Sequence, residues 1–381
     1  MIDDHAHPWP LAFEPLDLAA ITLDVHPGPV GDARRAAAGP GRLMVELLTS
    51  ALADLLGVDP DEAVAARDEA AAADWADWVR RLWADADIDG VILDEGVSAP
   101  HPGPLDAYIA ATGRPVWRLA RVDPLVDRLI GEGAAAKDIL DAVEAYLLDA
   151  VAAGAVGFKT ILAYRTGLAV APDVTLAEAE ASLAGAGGGA SRERAAGGSD
   201  GAGGSVRRRG KALRDLVTRR VFGIAADVDV PVQIHTGFGD SELRLSEANP
   251  LLLEEILRTP EGTAASIVLI HGSHPWPEQV AYLAATRPNV AAELSLSNLF
   301  APLGTAGRLA ALLDLAPRDK VLVGSDGHAQ PETHWFACRV VRQALADVAD
   351  RLAAAGARPG WIDATRAAVL AGNAERIYHL G

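Results

Sequence analysis

Eight short apolar runs recur along the chain, each closing on polar or glycine-rich residues. They are "IDDHAH" (2–7), "DGVILDEG" (89–96), "PVWRLARVD" (115–123), "AVGFKTILAYR" (155–165), "PVQIHTG" (231–237), "SIVLIHGSHP" (266–275), "NVAAELSL" (289–296) and "KVLVGSDGH" (320–328). Several are continuous rather than alternating, the pattern of parallel strands buried on both faces. Between most of them lie Ala/Leu-rich amphipathic stretches such as "LDAYIAATG" and "PEQVAYLAATRP". Strand and helix alternating eight times predicts the α/β class and a TIM (β/α)8 barrel. The competing arrangement, a doubly wound open sheet, calls for a Gly-rich phosphate loop after an early strand, and the sequence has none there. A length of 381 residues, half of them hydrophobic, suits one large barrel with insertions.

Two intervals exceed a simple crossover. Residues 8–88 contain "LMVELLTSALADLLG" and "DPDEAVAARDEAAAADWADWVRRLWADA", which predict a helical insertion after the first strand, within a single barrel domain 1–381. That insertion is expected to roof part of the pocket. Residues 184–211, "AGAGGGASRERAAGGSDGAGGSVRRRGK", bury little apolar area, so a flexible, disordered Gly/Ala/Arg-rich loop is expected after the fourth strand. Its Arg207–Arg209 run reads as solvated charge rather than a binding patch.

Composition excludes several partners. With 34 basic and 52 acidic residues, a net charge of −18 argues against nucleic acid and against an anionic membrane surface. Cys338 is the only cysteine, so no intrachain disulfide exists and a reducing compartment fits. No apolar stretch approaches the length of a membrane span, and no basic-then-apolar leader opens the sequence. The expectation is a cytoplasmic protein acting on a small molecule, with a homodimer as a common assembly for such barrels.

Active sites of barrels lie at the C-terminal ends of the strands, and the polar residues fall there. His5 and His7 end the first run, Lys159 lies in the fourth, His235 ends the fifth, His271 the sixth and Asp326 the eighth. In an extended strand, residues i and i+2 share a face, about 7 Å apart, so His5 and His7 present two imidazoles side by side. Imidazole is the commonest metal ligand near neutral pH. His5, His7 and His235 could supply nitrogens and Asp326 an oxygen, a set suited to Zn²⁺ and also to Mn²⁺ or Fe²⁺. A metal with an open position makes water a nucleophile near neutral pH. Asp326 can take the proton from that water. Asp4 is either a support for a ligand or, by strand alternation, a residue of the opposite face.

The set "DDHAH", "GFK", "QIHTG", "LIHGSHP" and "GSDGH" resembles the amidohydrolase superfamily of metal-dependent hydrolases. The ending "VLAGNAERIYHL" resembles the last helix of its amidohydrolase-related branch, which includes decarboxylases. More narrowly, "GFKTILAYRTGL", "PVQIHTGFGD", "ANPLLLEEIL" and "SDGHAQPETHW" are similar to the amidohydrolase domains fused to glutamine synthetase in nodulin-like and FluG-like proteins. The resemblance runs through the chain apart from 184–211, and no glutamine synthetase part is expected beyond the barrel. It implies Asp326 as the eighth-strand proton acceptor. His271 is implied either as a ligand to a second metal or, in one-metal relatives, as a group facing the substrate. Lys159 matches the lysine that bridges two metals as a carbamate in some relatives, so one or two ions remain open. Uncarboxylated, it would contact substrate or pair with an acid.

Further candidates surround this set. Arg165 could clamp a substrate carboxylate bidentately, or pair with a loop acid. Tyr164 precedes it, and His274, His328 and Glu332 follow strand ends where loops line pockets. Trp9 and Trp276 are candidate pocket walls or core residues. His26, His101 and His379 have no motif around them and read as surface residues, and Cys338 as a small core residue. The leading reading is a metal-dependent amidohydrolase that cleaves a C–N bond in a small carboxylate-bearing amide. A metal-dependent decarboxylase of a small aromatic acid could use the same His and Asp set, and a non-catalytic metal-binding scaffold is the reading from another class.

Overall fold

A computed structural model describes residues 1–23, 29–95, 104–184 and 208–381. Eight parallel strands follow one another in sequence order around a single sheet. They are β1 (Ile2–Ala6), β2 (Gly90–Asp94), β3 (Val116–Arg121), β4 (Ala155–Thr160), β5 (Val232–His235), β6 (Ile267–Ile270), β7 (Val290–Leu294) and β8 (Val321–Val323). Each lies within one of the eight apolar runs. Just beyond β8 the ring closes on β1: the Asp326 amide donates to the His5 carbonyl and the His7 amide to the Gly327 carbonyl, both at 2.8 Å. The architecture is the TIM barrel that the strand–helix alternation predicts.

Inside the barrel, side chains stack in layers two residues apart along each strand. The lowest layer is apolar. Ile2, Ile92, Leu119, Val268, Ala291 and Leu322 pack there with Ile377 and Tyr378 of the C-terminal segment, which plugs that end. Asn373 fixes the plug by donating to the Arg318 and Val321 carbonyls at 2.8 Å each. One step up lies a polar layer. Gln233 donates to the Asp4 carbonyl at 2.8 Å and to the Tyr378 hydroxyl at 2.6 Å, and Glu293 is fully buried beside it. At the strand ends, Arg121, Lys159, His235 and Asp326 face the cavity, with Asp94 bound to Arg121.

Strict alternation would turn Asp4 away from the face of His5, and here the strand departs from it. The register of β1 against β2 shifts between Asp3 and Ala6, as at a β-bulge, which re-aims side chains. Asp4, two residues beyond the interior Ile2, points into the barrel, where the Tyr378 hydroxyl reaches it at 3.4 Å, and the irregularity brings His5 to the same side. Asp3 turns outward instead and accepts from the Ser325 amide at 2.7 Å and hydroxyl at 2.5 Å.

Between β1 and β2 the expected helical insertion comprises α1 (Pro29–Ala38), α2 (Leu43–Leu56), α3 (Ala63–Ala73) and α4 (Trp75–Asp85). Of these, α2 and α4 pack on the long helix Pro331–Ala354 that follows β8, and α3 reaches it through Arg67. Arg67, fully buried, donates to Glu332 through Nε at 2.6 Å and Nη2 at 3.1 Å, and the Trp78 indole donates to the same carboxylate at 2.6 Å. None of these four helices lines the central cavity; from the described part of residues 8–88, Ala20 and Thr22, in the coil before the helices, do so. Most of the expected flexible loop 184–211 lies outside the described residues, as do His26 and His101. Among the described residues no helix is long and apolar enough to cross a membrane.

Candidate active site

At the C-terminal end of the barrel a cavity of about 420 Å³ opens over the strand ends. It is lined by His5, His7, Lys159, Tyr164, Arg165, His235, His271, Asp326 and His328, so these nine candidates from the sequence share one cavity. Arg121, Asp240 and Glu242 join them.

The imidazoles converge on one carboxylate. His5 Nε2 lies 3.1 Å and His7 Nε2 3.3 Å from Asp326 Oδ1. The His5 ring is 5.3 Å from those of His7 and His271, and the His271 ring 4.4 Å from that of His235. Burial disfavours the charged imidazolium, and Lys159 adds repulsion, which lowers His5 to about 4. His235 and His271 are held well below their ordinary value for the same primary reason, burial. All three therefore carry a lone pair at neutral pH. Burial alone would raise Asp326, but the surrounding His271, His5 and His7 outweigh it and hold the carboxyl well below its ordinary range. His271 and Asp326 both sit at positive φ, 73° and 53°. Non-glycine residues adopt that conformation at a cost of order 1–3 kcal/mol each, and such positions cluster at functional sites.

This donor set fits a divalent cation. His5, His271 and Asp326 offer donor atoms within 4.8 Å of one another, and His235 Nε2 is buried with no hydrogen-bond partner. Three neutral nitrogens and a carboxylate are the ligands a Zn²⁺-class ion takes. Asp94 is also within reach of His5 and His7, yet its carboxylate is gripped by Arg121, through Nε at 3.0 Å and a second short contact from Nη2. Burial would raise Asp94, but Arg121 and Lys159 outweigh it and depress it strongly. Its role is to hold those two cations.

Lys159 is 1 % exposed. Its amine lies 3.1 Å from His5 Nε2 and 3.6 Å from Asp94 Oδ2. Burial brings it down to about 8, against the opposing pull of Asp94. Asp94 and Arg121 were passed over in the sequence, although each stands two residues beyond an interior apolar residue, Ile92 and Leu119, at a strand end. That spacing was the available signal.

The remaining candidates divide. Arg165 lines the cavity, and its Nε donates to Asp127 Oδ2 at 2.8 Å, which leaves its terminal nitrogens for a ligand; it is thus paired with an acid, though one on the helix Asp123–Glu132 rather than on a loop. The Tyr164 hydroxyl accepts from the Asp240 amide at 3.0 Å, and its ring packs on His235 at 4.8 Å. Residue 239 must be glycine for this approach, since a Cβ there would stand 1.9 Å from that hydroxyl. Burial, then Asp240, pushes the Tyr164 phenol strongly upward, so it keeps its proton. His328 Nδ1 lies 3.1 Å from the Asp326 carbonyl. Glu332 is not in the cavity, being spent on Arg67 and Trp78. Nor does His274 line it; its ring packs on Phe238. Trp9 is core, stacked among Trp83, Tyr108 and His334, and Trp276 stands at the start of the helix Pro277–Thr286. His379 is exposed, 3.5 Å from Asp229. Cys338 is a fully buried thiol.

Comparison with known proteins agrees with this geometry. A family model described as Amidohydrolase matches residues 2–380. Protein fluG of Emericella nidulans is 28% identical over 317 residues, 76% of this chain and 35% of that protein. The chain thus spans about a third of the length of that relative. Among solved structures, a Lactobacillus casei ATCC 334 protein provisionally assigned as a metal-dependent hydrolase superposes with a TM-score of 0.84 at 24% identity, over 99% of this chain and 94% of that one. A glucuronate isomerase from Caulobacter crescentus does so at 0.64 and 16%, over 100% and 91%. At these identities the structures speak for the fold alone; the family match over residues 2–380 carries the assignment, and this chain belongs to the amidohydrolase family.

Proposed function

We propose that this protein hydrolyses the C–N bond of a small carboxylate-bearing amide, using one divalent ion, zinc by preference, at His5, His7, His235 and Asp326. The observation that carries the reading is the division of the cavity. Neutral imidazoles and Asp326 form its floor, while Arg165, Arg121 and Lys159 add three cationic side chains to the same lining. A bound divalent ion supplies a Lewis acid and a water of lowered pKa. The remaining work belongs to the side chains. Asp326, ionised, accepts a proton at Oδ. Arg165 takes the substrate carboxylate with its terminal nitrogens while Asp127 anchors Nε, which fixes the substrate's orientation. The Tyr164 hydroxyl keeps its proton and can donate to the substrate carbonyl oxygen as charge builds there.

One ion is favoured over two by Lys159. A carbamate on its amine would set a second anion against Asp94, now 3.6 Å away; as an ammonium it meets that carboxylate favourably. In this reading Lys159 is a cation of the pocket wall rather than a bridge.

The test is a substrate screen on protein reconstituted with Zn²⁺, Mn²⁺ or Fe²⁺, scoring amine or ammonia release from γ-glutamyl and N-acyl amides against CO₂ release from small aromatic acids. Amine release that requires the substrate carboxylate supports the proposal. CO₂ release without amide cleavage would replace it with decarboxylation. Metal content per chain, with intact mass, tests the single ion: two ions and the added mass of one CO₂ would overturn it.

A further inference from the structure

His271 can serve the site in two opposite ways. With a proton on Nε2 it donates to substrate; with a lone pair there it accepts a proton or binds a cation. The two tautomers differ only in which ring nitrogen carries hydrogen, and the partner of the other nitrogen decides it. That partner is visible. His271 Nδ1 lies 2.7 Å from Ser295 Oγ, and Ser295 Oγ lies 2.8 Å from Glu293 Oε2. Glu293 Oε2 also accepts from the His271 backbone amide at 2.9 Å.

The backbone amide fixes the direction of the chain of bonds. An N–H can only donate, so Glu293 Oε2 is an acceptor at that corner. The Ser295 hydroxyl then donates its one hydrogen to the same oxygen, and its lone pairs face His271. Nδ1 must carry the proton that fills them. This holds for the carboxylate, and for the neutral acid, which burial favours, when its proton is on Oε1 rather than Oε2. A proton on that carboxyl would sit on the other oxygen, Oε1, which has no partner and faces the same gap beside Gly324 as the unpartnered Asp4 Oδ1.

We infer that Glu293 and Ser295 are positioning residues that lock His271 in its Nδ1–H tautomer, so that Nε2 meets the cavity as a lone pair. All three side chains are buried, 0–1 % exposed, so water does not compete for these bonds. His271 in its resting state is then an acceptor, not a hydrogen-bond donor to a substrate carbonyl. The inference deepens the hydrolase reading by assigning His271 its direction of proton transfer, but the tautomer exists without substrate and stands or falls separately.

The experiment is two-bond ¹H–¹⁵N correlation NMR on protein labelled with ¹⁵N-histidine, without added metal and with one equivalent of Zn²⁺. His271→Gln identifies the resonance. The Nδ1–H pattern in the unsubstituted protein is expected; an Nε2–H pattern overturns the inference without further variants. Ser295→Ala should shift His271 by at least tenfold in population toward Nε2–H, and Ser295→Thr, which keeps a hydroxyl, should restore the Nδ1–H pattern. Glu293→Gln should also retain it, because the amide oxygen can take the double-acceptor position and the amide nitrogen can face Asp4. A His271 pattern unmoved by Ser295→Ala would remove Ser295 and Glu293 as its cause. Loss of amide turnover with an intact Nδ1–H pattern bears on the proposed reaction and leaves the tautomer in place.

Discussion

Two layers of the barrel interior stand two residues apart on the same strands and obey opposite rules. Ile92 and Leu119 belong to the lower layer, with apolar neighbours on every side and the Tyr378 plug beneath. Asp94 and Arg121, the next inward positions on those strands, belong to the upper one and bind each other in the cavity wall. In the lower layer each side chain satisfies itself by excluding water, and a fully buried Leu or Ile contributes about 1.5–3 kcal/mol. In the upper layer buried charges must find partners, at a desolvation cost of several kcal/mol per ion. The same β geometry thus supplies a rigid base and a reactive face, and substitutions should separate them.

The largest separation is expected at Asp326. Asp326→Asn preserves the size and some hydrogen bonding but removes the charge and the proton acceptor. Turnover should fall by about 10²–10⁴-fold, the usual contribution of a positioned acid or base, with the melting temperature close to that of the parent. Stripping the metal with a chelator should abolish the same turnover, and Zn²⁺ should restore it in the parent. A large loss of stability in Asp326→Asn would mean that the upper layer holds the fold together as well as the reaction.

Arg67 tests a third environment, outside the barrel. Arg67→Met leaves Glu332 buried without its cation, and breaking such a pair typically costs about 3–5 kcal/mol. Denaturant unfolding should show it, together with faster proteolysis within 29–85. Arg67→Met combined with Glu332→Gln removes both charges and should recover much of the loss. If the double variant is no better than the single one, packing rather than charge pairing joins the insertion to the barrel.

Leu119→Ala is the counterpart of Asp326→Asn. It should cost about 2–5 kcal/mol of stability, as large-to-small core substitutions do, with turnover per folded molecule nearly unchanged. Thermal unfolding and active-site-normalised kinetics on one sample would decide it.

The lower layer was far easier to read from the sequence than the upper one. Continuous apolar runs such as "IVLI" and "VLV" reveal buried parallel strands, because only burial on both faces makes them favourable. His5, His7, His235, His271 and Asp326 were legible because an imidazole or acid is conspicuous after such a run. Asp94 and Arg121 were not, since an acid or an arginine at a strand end is ordinarily solvated; only the register of β2 with β3 brings them together. The placing of Asp4 and His5 on one side was hidden by the irregularity in β1, which no period-2 pattern announces. The docking of α3 and α4 on the helix after β8 depends on Arg67 meeting a glutamate 265 residues away, a separation beyond any local signal.

The smallest effect should come from Arg165, and it bears on substrate rather than on fold. Asp127 is shared: Arg165 Nε donates to Oδ2 at 2.8 Å and Arg214 Nη2 to Oδ1 at 2.7 Å. Replacing Arg165 therefore leaves Asp127 paired with Arg214, and stability should change little. Arg165→Lys keeps the positive charge but loses the planar fork that grips a carboxylate through two parallel bonds. The expected result is a rise of about tenfold in KM, roughly 1.4 kcal/mol, with kcat largely retained, for an amide substrate bearing a carboxylate. Its neutral primary-amide analogue should bind the parent and the variant alike. Equal losses for the charged and neutral substrates would show that Arg165 shapes the wall instead of reading the carboxylate, and the cationic side of the cavity would then rest on Arg121 and Lys159, which Asp94 holds in place.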